Sequence, residues 1–476
     1  MNKFRLFVEN FMVYGMGSMI SKFIPFFMIP IVIRLMPDSS YYGISELFNT
    51  AVQFASTFIL FGMYDSMFRF FFENEDSQYK AEICSTAFSY TLVNSLLVFF
   101  LINFFRDKLA ILFFGRAKYR NLLTLASFAA VIGASNSMLG APTRMLNDRK
   151  RYLIINALAP IISYSLSFIL LLNEQYEIAL PLGVFLSNTA IAVIFLLLNH
   201  RWFCIKSVKI HHLKELMTVA FPVVPITLIY WIFNSCDKLM ITNILSVDDA
   251  GIYSVGAKFG AISQLIYAAF SGGWQYFAYS TMNDDNQKEV NSRIFEYLGI
   301  VSFGSAIAVS VVIYDIFKFL FNAEYLKAYI ITPYLFLSPL IQMLFQILCS
   351  QYTIHKKSWM NMMYLIAAAV INIFLNYFQI PCLGIEGAAL STLTGYICAV
   401  IISLVIAVKL EYAVISVRMI ASFIVTAVYF VMWRLWFSEF FLTSAVSALI
   451  VFSFYAFFYR KELKMFYGFL RNLELR

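Results

Sequence analysis

Apolar residues along this chain fall in long unbroken runs. They show neither the strict alternation of strands nor the one-sided spacing of surface helices. Fourteen runs of roughly 20–28 residues stand out, at 11–35, 43–70, 83–105, 122–145, 153–173, 178–199, 216–245, 251–276, 294–320, 329–353, 360–380, 386–408, 418–437 and 441–459. A helix rising about 1.5 Å per residue needs about 20 such residues to cross a hydrocarbon layer about 30 Å thick. Each run is therefore read as a transmembrane helix, and the fold class as an all-α polytopic membrane protein. A transmembrane barrel, built from alternating ten-residue strands, is disfavoured. Polar connectors are short throughout and leave no room for an appended soluble domain. The first run is too long for the apolar core of a cleaved signal peptide.

One pattern occurs twice. Tyr42-Gly43-Ile44-Ser45 opens the second run, and Gly251-Ile252-Tyr253-Ser254 opens the eighth, each after a long run and a short turn. Six spans separate the equivalent points, so both copies point the same way. That predicts two six-helix lobes in parallel repeat, related by an axis along the membrane normal, with a site between them. The division is 1–200 for the first lobe, 201–215 for a basic cytoplasmic linker, 216–408 for the second lobe, and 409–476 for two extra helices and a basic tail. Pro25, Pro30, Pro222 and Pro225 sit in the first span of each lobe. Each removes a helical hydrogen bond and permits bending, and breaks placed beside the charges suit alternating access.

Composition narrows the class. Of 476 residues 61% are hydrophobic and 13% charged, too few charges to cover a water-facing surface. Most of the 35 Lys and Arg residues fall on one side once the N-terminus is placed in the cytoplasm, which also places the C-terminus there. The net charge of +8 follows from that topology, and no basic groove or module for nucleic acid is visible. The loop 106–121 is an exception on the outer side. Its basic residues around a Leu-Ala-Ile-Leu-Phe-Phe-Gly centre predict a short interfacial helix. The six cysteines and four histidines show no metal or disulfide spacing. No phosphate loop, metalloprotease motif or nucleophile elbow is present, so an enzyme and direct use of ATP are excluded from the reading and no cofactor is expected.

Positive evidence comes from charges within the apolar runs, each costing about 2.5–3.5 kcal/mol on insertion scales. Lys22 lies midway along the first span. Asp65 and Arg69 share one face of the second and can pair within the helix. Asp237 and Lys238 are adjacent, so their side chains diverge and each needs a partner elsewhere. Lys258 lies at a similar depth on the next span, and an Asp237–Lys258 pair would satisfy both. Taken together, Lys22, Arg69, Lys238 and Lys258 outnumber Asp65 and Asp237. The surplus predicts a water-filled electropositive cavity that receives an anionic group. Asn49, Gln53, Asn234 and Gln264 can bind sugar hydroxyls there, or join helices to one another. Trp231 and Trp274 can stack on sugar rings, or simply pack.

Several stretches carry a resemblance: Arg34-Leu35-Met36-Pro37-Asp38 through Tyr42-Gly43-Ile44, Phe221-Pro222 with Asp237-Lys238, Gly251-Ile252-Tyr253-Ser254, Asn147-Asp148-Arg149-Lys150, and Leu383-Gly384-Ile385-Glu386-Gly387-Ala388-Ala389. The chain resembles the polysaccharide transporter family of O-antigen (Wzx-type) flippases in the MOP superfamily. The resemblance implies a fourteen-helix, two-lobed fold that moves an undecaprenyl-pyrophosphate-linked oligosaccharide from the inner to the outer leaflet. It implies coupling to H+ or Na+, and work beside other polysaccharide assembly proteins. Family interiors use arginines where this chain has lysines, which contact phosphate as point charges and not as bidentate forks. The alternative is a multidrug and toxin exporter of the same superfamily, which would favour intramembrane carboxylates. A polymerase or ligase of the same pathway is the third reading, against which the short loops argue.

Overall fold

The computed structural model describes residues 24–282, 284–462 and 464. Of the described residues 88% are helical, and none lies in a strand. Among the described residues eleven helices are individually long and apolar enough to cross a membrane. A twelfth span forms from the bent pair α2 (Ser39–Leu60) and α3 (Met63–Phe71). The two remaining expected spans differ from simple rods. Of the first, the described part is α1 (Ile24–Leu35). The eighth is broken at Ala261–Ile262 into α10 (Val247–Gly260) and α11 (Ser263–Ser280).

The described residues divide into two compact units. The first takes the chain up to Ser254 together with Ile373–Ala388, and the second takes Val255–Asn372 and the chain from Ala389.

In the first unit, helix starts are fixed by side-chain caps. Asp38 accepts from the Ser40 amide at the head of α2, Asp76 from Gln78 and Tyr79 at α4 (Ser77–Phe104), and Asp148 from Arg151 at α7 (Arg149–Leu172). α4 leads through the short α5 (Arg106–Phe114) to α6 (Arg120–Met145), and α7 to α8 (Tyr176–Asn199). The short helix expected in the loop 106–121 is α5. It docks through Asn243 Nδ2, which donates to Leu112 O at 2.8 Å. α9 (Ile210–Ile244) lies against α2, α3, α4 and α5.

The prolines of α9 do not break it. α9 runs without interruption through Pro222 and Pro225. The bend falls instead between α2 and α3, where Phe61 (φ 45°) and Gly62 (φ 73°) take left-handed backbone and turn the chain by 48°. Gly62 is required twice over. A Cβ there would stand 2.4 Å from Ala220 O and 2.9 Å from Ala220 Cα, so α9 itself presses on the bend.

The basic segment joining α8 to α9 does not hang free. Ser85 Oγ donates to Trp202 O and accepts from the Cys204 amide, and Thr86 Oγ1 accepts from the Lys209 amide. His212, in the first turn of α9, lies between Glu215 (3.0 Å) and Glu82 (3.3 Å) and completes the clamp to α4.

The repeated sequence motif has a direct structural expression within this unit. Gly43 of α2 and Gly251 of α10 face each other at backbone contact. A Cβ on Gly43 would lie 2.2 Å from Val247 O, and one on Gly251 would lie 2.5 Å from Ser39 O. Val247 precedes Gly251 by the same four residues by which Ser39 precedes Gly43, so the contact is reciprocal. Ser39 Oγ donates across it to Asp248 at 3.2 Å.

In the second unit, α12 (Gln287–Leu320) packs against α14 (Thr332–Ile354), α17 (Val417–Met432) and α18 (Phe441–Phe458). Polar contacts link these apolar helices: Tyr429 with Ser310 (2.8 Å), Thr426 with Tyr455 (2.6 Å), and the Trp433 indole with Ser310 O (3.1 Å). At one end Arg418 reaches Glu462 (2.8 Å) and Glu296 (3.5 Å), and Tyr459 donates to Glu296 at 2.7 Å.

Candidate functional site

Two of the charges within the spans, Lys238 and Asp237 of α9, meet partners on other helices. The Lys238 amine lies 2.9 Å from a carboxylate oxygen of Glu46 on α2, with the two side chains 17% and 5% exposed. An ion pair so shielded from water persists because each charge neutralises the other. One residue earlier Asp237, 3% exposed, points the other way, as adjacent helical positions must. Its carboxylate accepts from Tyr253 Oη and from Asn376 Nδ2, both at 2.7 Å. Asn376 belongs to α15 (Trp359–Leu383), in the segment that completes the first unit.

From the ion pair a polar face opens between α2 and α9. Glu46, Asn49 and Gln53 repeat at helical spacing on α2, and Lys238, Asn234 and Trp231 do so on α9. The helices run antiparallel here, since Glu46 meets Lys238 at one end and Phe54 meets the Trp231 ring at 4.8 Å at the other. Exposure rises along α2 from buried Glu46 through half-buried Asn49 to exposed Gln53, and Asn234 is also exposed. The Trp231 indole nitrogen is buried without a hydrogen-bond partner among the described residues. Five sequence candidates thus share one surface: Asn49, Gln53, Trp231, Asn234 and Lys238.

Other candidates lie elsewhere. Asp65 and Arg69 are exposed on α3, and the expected pair between them is replaced by Arg69 with Glu73 at 3.8 Å. Lys258 and Gln264 are half-buried in the second unit. Trp274 is 4% exposed, stacks on Phe270 and donates its indole N–H to Ser350 at 2.8 Å, so its ring faces the interior of that unit and not an open surface. Lys22 lies outside the described residues.

Sequence reasoning missed Glu46 and Asn376. Glu46 is an acid one turn inside an apolar run, directly after the repeated motif, and that position was its only signal. Its pairing with Lys238 removes part of the positive surplus counted from sequence. Asn376 carries no signal at all, since amides within spans are more often interhelical links.

These helices define a multi-pass membrane protein with the fold shared by MurJ and MATE transporters of the MOP superfamily. Among solved structures, "Lipid II flippase MurJ, inward closed conformation" superposes with a TM-score of 0.70 at 15% identity, covering 95% of this chain and 100% of that one. An inward-facing multidrug resistance MATE family transporter gives 0.63 at 11% identity, covering 84% and 94%. A MOP superfamily transporter from Pyrococcus furiosus, titled for the reverse polarity of its binding pocket, gives 0.59 at 11%, covering 85% and 95%. Identities this low establish the fold alone. No curated protein matches the sequence. The family model described as "Polysaccharide biosynthesis protein" matches residues 31–330, and the chain belongs to that family.

Proposed function

We propose that the protein is a flippase for an undecaprenyl-pyrophosphate-linked oligosaccharide, the repeat unit of an O-antigen or related surface polysaccharide. It moves this cargo from the inner to the outer leaflet of a bacterial cytoplasmic membrane, with both termini in the cytoplasm. The observation that carries the reading is a half-buried lysine, Lys238, paired with buried Glu46 at one end of a polar face, in a chain of the polysaccharide biosynthesis family. Lys22, Lys238 and Lys258 supply the cationic cavity for the pyrophosphate. Asn49, Gln53, Asn234 and Gln264 offer hydrogen bonds to sugar hydroxyls, and the Trp231 ring offers an apolar face. The bend at Gly62, against α9, supports alternating access. Coupling to H+ or Na+ supplies the drive, and other polysaccharide assembly proteins supply and take the cargo. The similarity to a structure titled as a lipid II flippase agrees with this reading.

Drug export, the activity named for the MATE neighbours, needs acids free to receive cations. Here two buried acids, Glu46 and Asp237, are occupied: Glu46 by Lys238, and Asp237 by Tyr253 and Asn376. The test is a leaflet-accessibility assay in cells lacking the protein. Lipid-linked repeat units should accumulate on the inner leaflet, and the wild type should restore outward movement while a Lys22→Gln/Lys238→Gln/Lys258→Gln variant should not. Unchanged outward movement in the deletion strain, with new sensitivity to cationic dyes, would replace this reading with export.

A further inference from the structure

We propose that the connector between α8 and α9 is a strap that docks on acidic phospholipid headgroups. Two spans bound it, Tyr176–Trp202 and Ile210–Ile244, so only residues 203–209 separate one membrane crossing from the next. A segment that short stays at the level of the headgroups. One side of it is committed to the protein. The Trp202 ring is buried against Phe71, and Phe203 packs on Phe88. Ser85 and Thr86 of α4 hold the backbone at Trp202, Cys204 and Lys209. With the backbone held at three points, the side chains left outside cannot turn in.

Those side chains are apolar and basic together. Ile205, in the turn Ile205–Ser207, is 90% exposed, and Ile210, in the first turn of α9, is 77% exposed. Isoleucine so open to water is unfavourable, and a lipid interface covers it. Arg201, Lys206, Lys209 and Lys214 are exposed in the same stretch, and Ile210 and Lys214 share one face of α9. Two acids lie nearby, and both turn to His212: Glu82 at 3.3 Å and Glu215 at 3.0 Å. Four cations against two engaged acids leave a positive surface. Isoleucines in the acyl boundary, with ammonium and guanidinium groups at lipid phosphates, satisfy both features at once. A zwitterionic headgroup would satisfy the isoleucines alone, so the charge selects acidic lipid.

The test uses the purified full-length protein carrying Cys382→Ser, which leaves Cys204, beside Ile205, as the exposed cysteine among the described residues. A fluorophore on Cys204 is read in vesicles with a quencher at headgroup depth. One set is phosphatidylcholine alone, and the other is equal parts phosphatidylcholine and phosphatidylglycerol. Quenching should be about twofold stronger in the acidic vesicles and should fall as salt is raised. Inorganic phosphate at matched ionic strength should not displace the strap. Each cation near an acidic surface biases docking by about fivefold. Arg201→Gln/Lys206→Gln/Lys209→Gln/Lys214→Gln should therefore quench in acidic vesicles no more than in phosphatidylcholine. Native mass spectrometry of the unlabelled wild type should retain more phosphatidylglycerol than that variant, a readout the fluorophore cannot disturb. Equal quenching in the two vesicles, or a charge variant that docks as the wild type does, would overturn the inference. A fluorophore that stays in water in both vesicles would also overturn it and leave the strap to a protein partner.

Discussion

Replacing Gly43 by alanine tests the reciprocal glycine contact. The added Cβ would lie 2.2 Å from Val247 O and 3.1 Å from the Gly251 amide nitrogen. A carbon and a carbonyl oxygen rest at about 3.3–3.6 Å. α2 and α10 would therefore have to part by about 1 Å. The obstacle is backbone, so no rotamer change can relieve it, and the cost belongs in the range of about 1–3 kcal/mol found for overpacked interiors. Gly251→Ala meets Ser39 O at 2.5 Å and should cost a similar amount. One separation of the helices relieves both clashes, so the double variant should cost clearly less than the two singles combined. Gly273 is the control: nothing stands within 4 Å of its Cβ position. Alanine there should be neutral or stabilise by about 0.5–1 kcal/mol, because helical glycine is entropically unfavourable. Thermal unfolding in one detergent, followed by the monodisperse fraction, ranks all four variants. Gly43→Ala as stable as wild type, or strict additivity with Gly251→Ala, would refute the contact.

Other outcomes follow from the same geometry. Tyr253→Phe removes one donor to the buried Asp237 carboxylate and should cost about 1–3 kcal/mol by thermal unfolding; Asp237→Asn presents an amide to the Asn376 donor and should cost at least as much. Glu462 is held below its ordinary pKa of 4.5, chiefly by its hydrogen bond from Arg418. A lowered folded pKa contributes stability that is complete above 4.5 and lost as pH falls through the folded value. Wild type should therefore lose stability on acidification below about pH 4.5 more steeply than Glu462→Gln, and identical acid slopes would show that the ion pair contributes nothing.

The spans were legible because a run of about 20 apolar residues has few other fates. The glycine contact was half legible. The motif around Gly43 and Gly251 marked equivalent points, but nothing in the sequence says that equivalent points touch. Breaks were misjudged in both directions. Proline suggested them in α9, where the helix absorbs Pro222 and Pro225, while the bend at Gly62 and the break at Ala261–Ile262 lack a proline. Of the polar face, the residues on α9 and α2 were found singly by type. Their union was not, since the Lys238–Glu46 pair spans most of two hundred residues and depends on which helices lie side by side. The same limit hid Asn376, which reaches Asp237 from α15.

The anchoring of the α8–α9 connector bears on how the chain is assembled during synthesis. Ser85 and Thr86 on α4 are made more than a hundred residues before Trp202, Cys204 and Lys209, which they later bind. Until then these hydroxyls, and the backbone edge of Gly62 on which Ala220 settles, belong to an unfinished surface. The nascent chain therefore carries a seat for α9 well before α9 leaves the ribosome. A stall or a cut between α8 and α9 leaves that seat open, and a fragment beginning at α9 would have to find it without the tether.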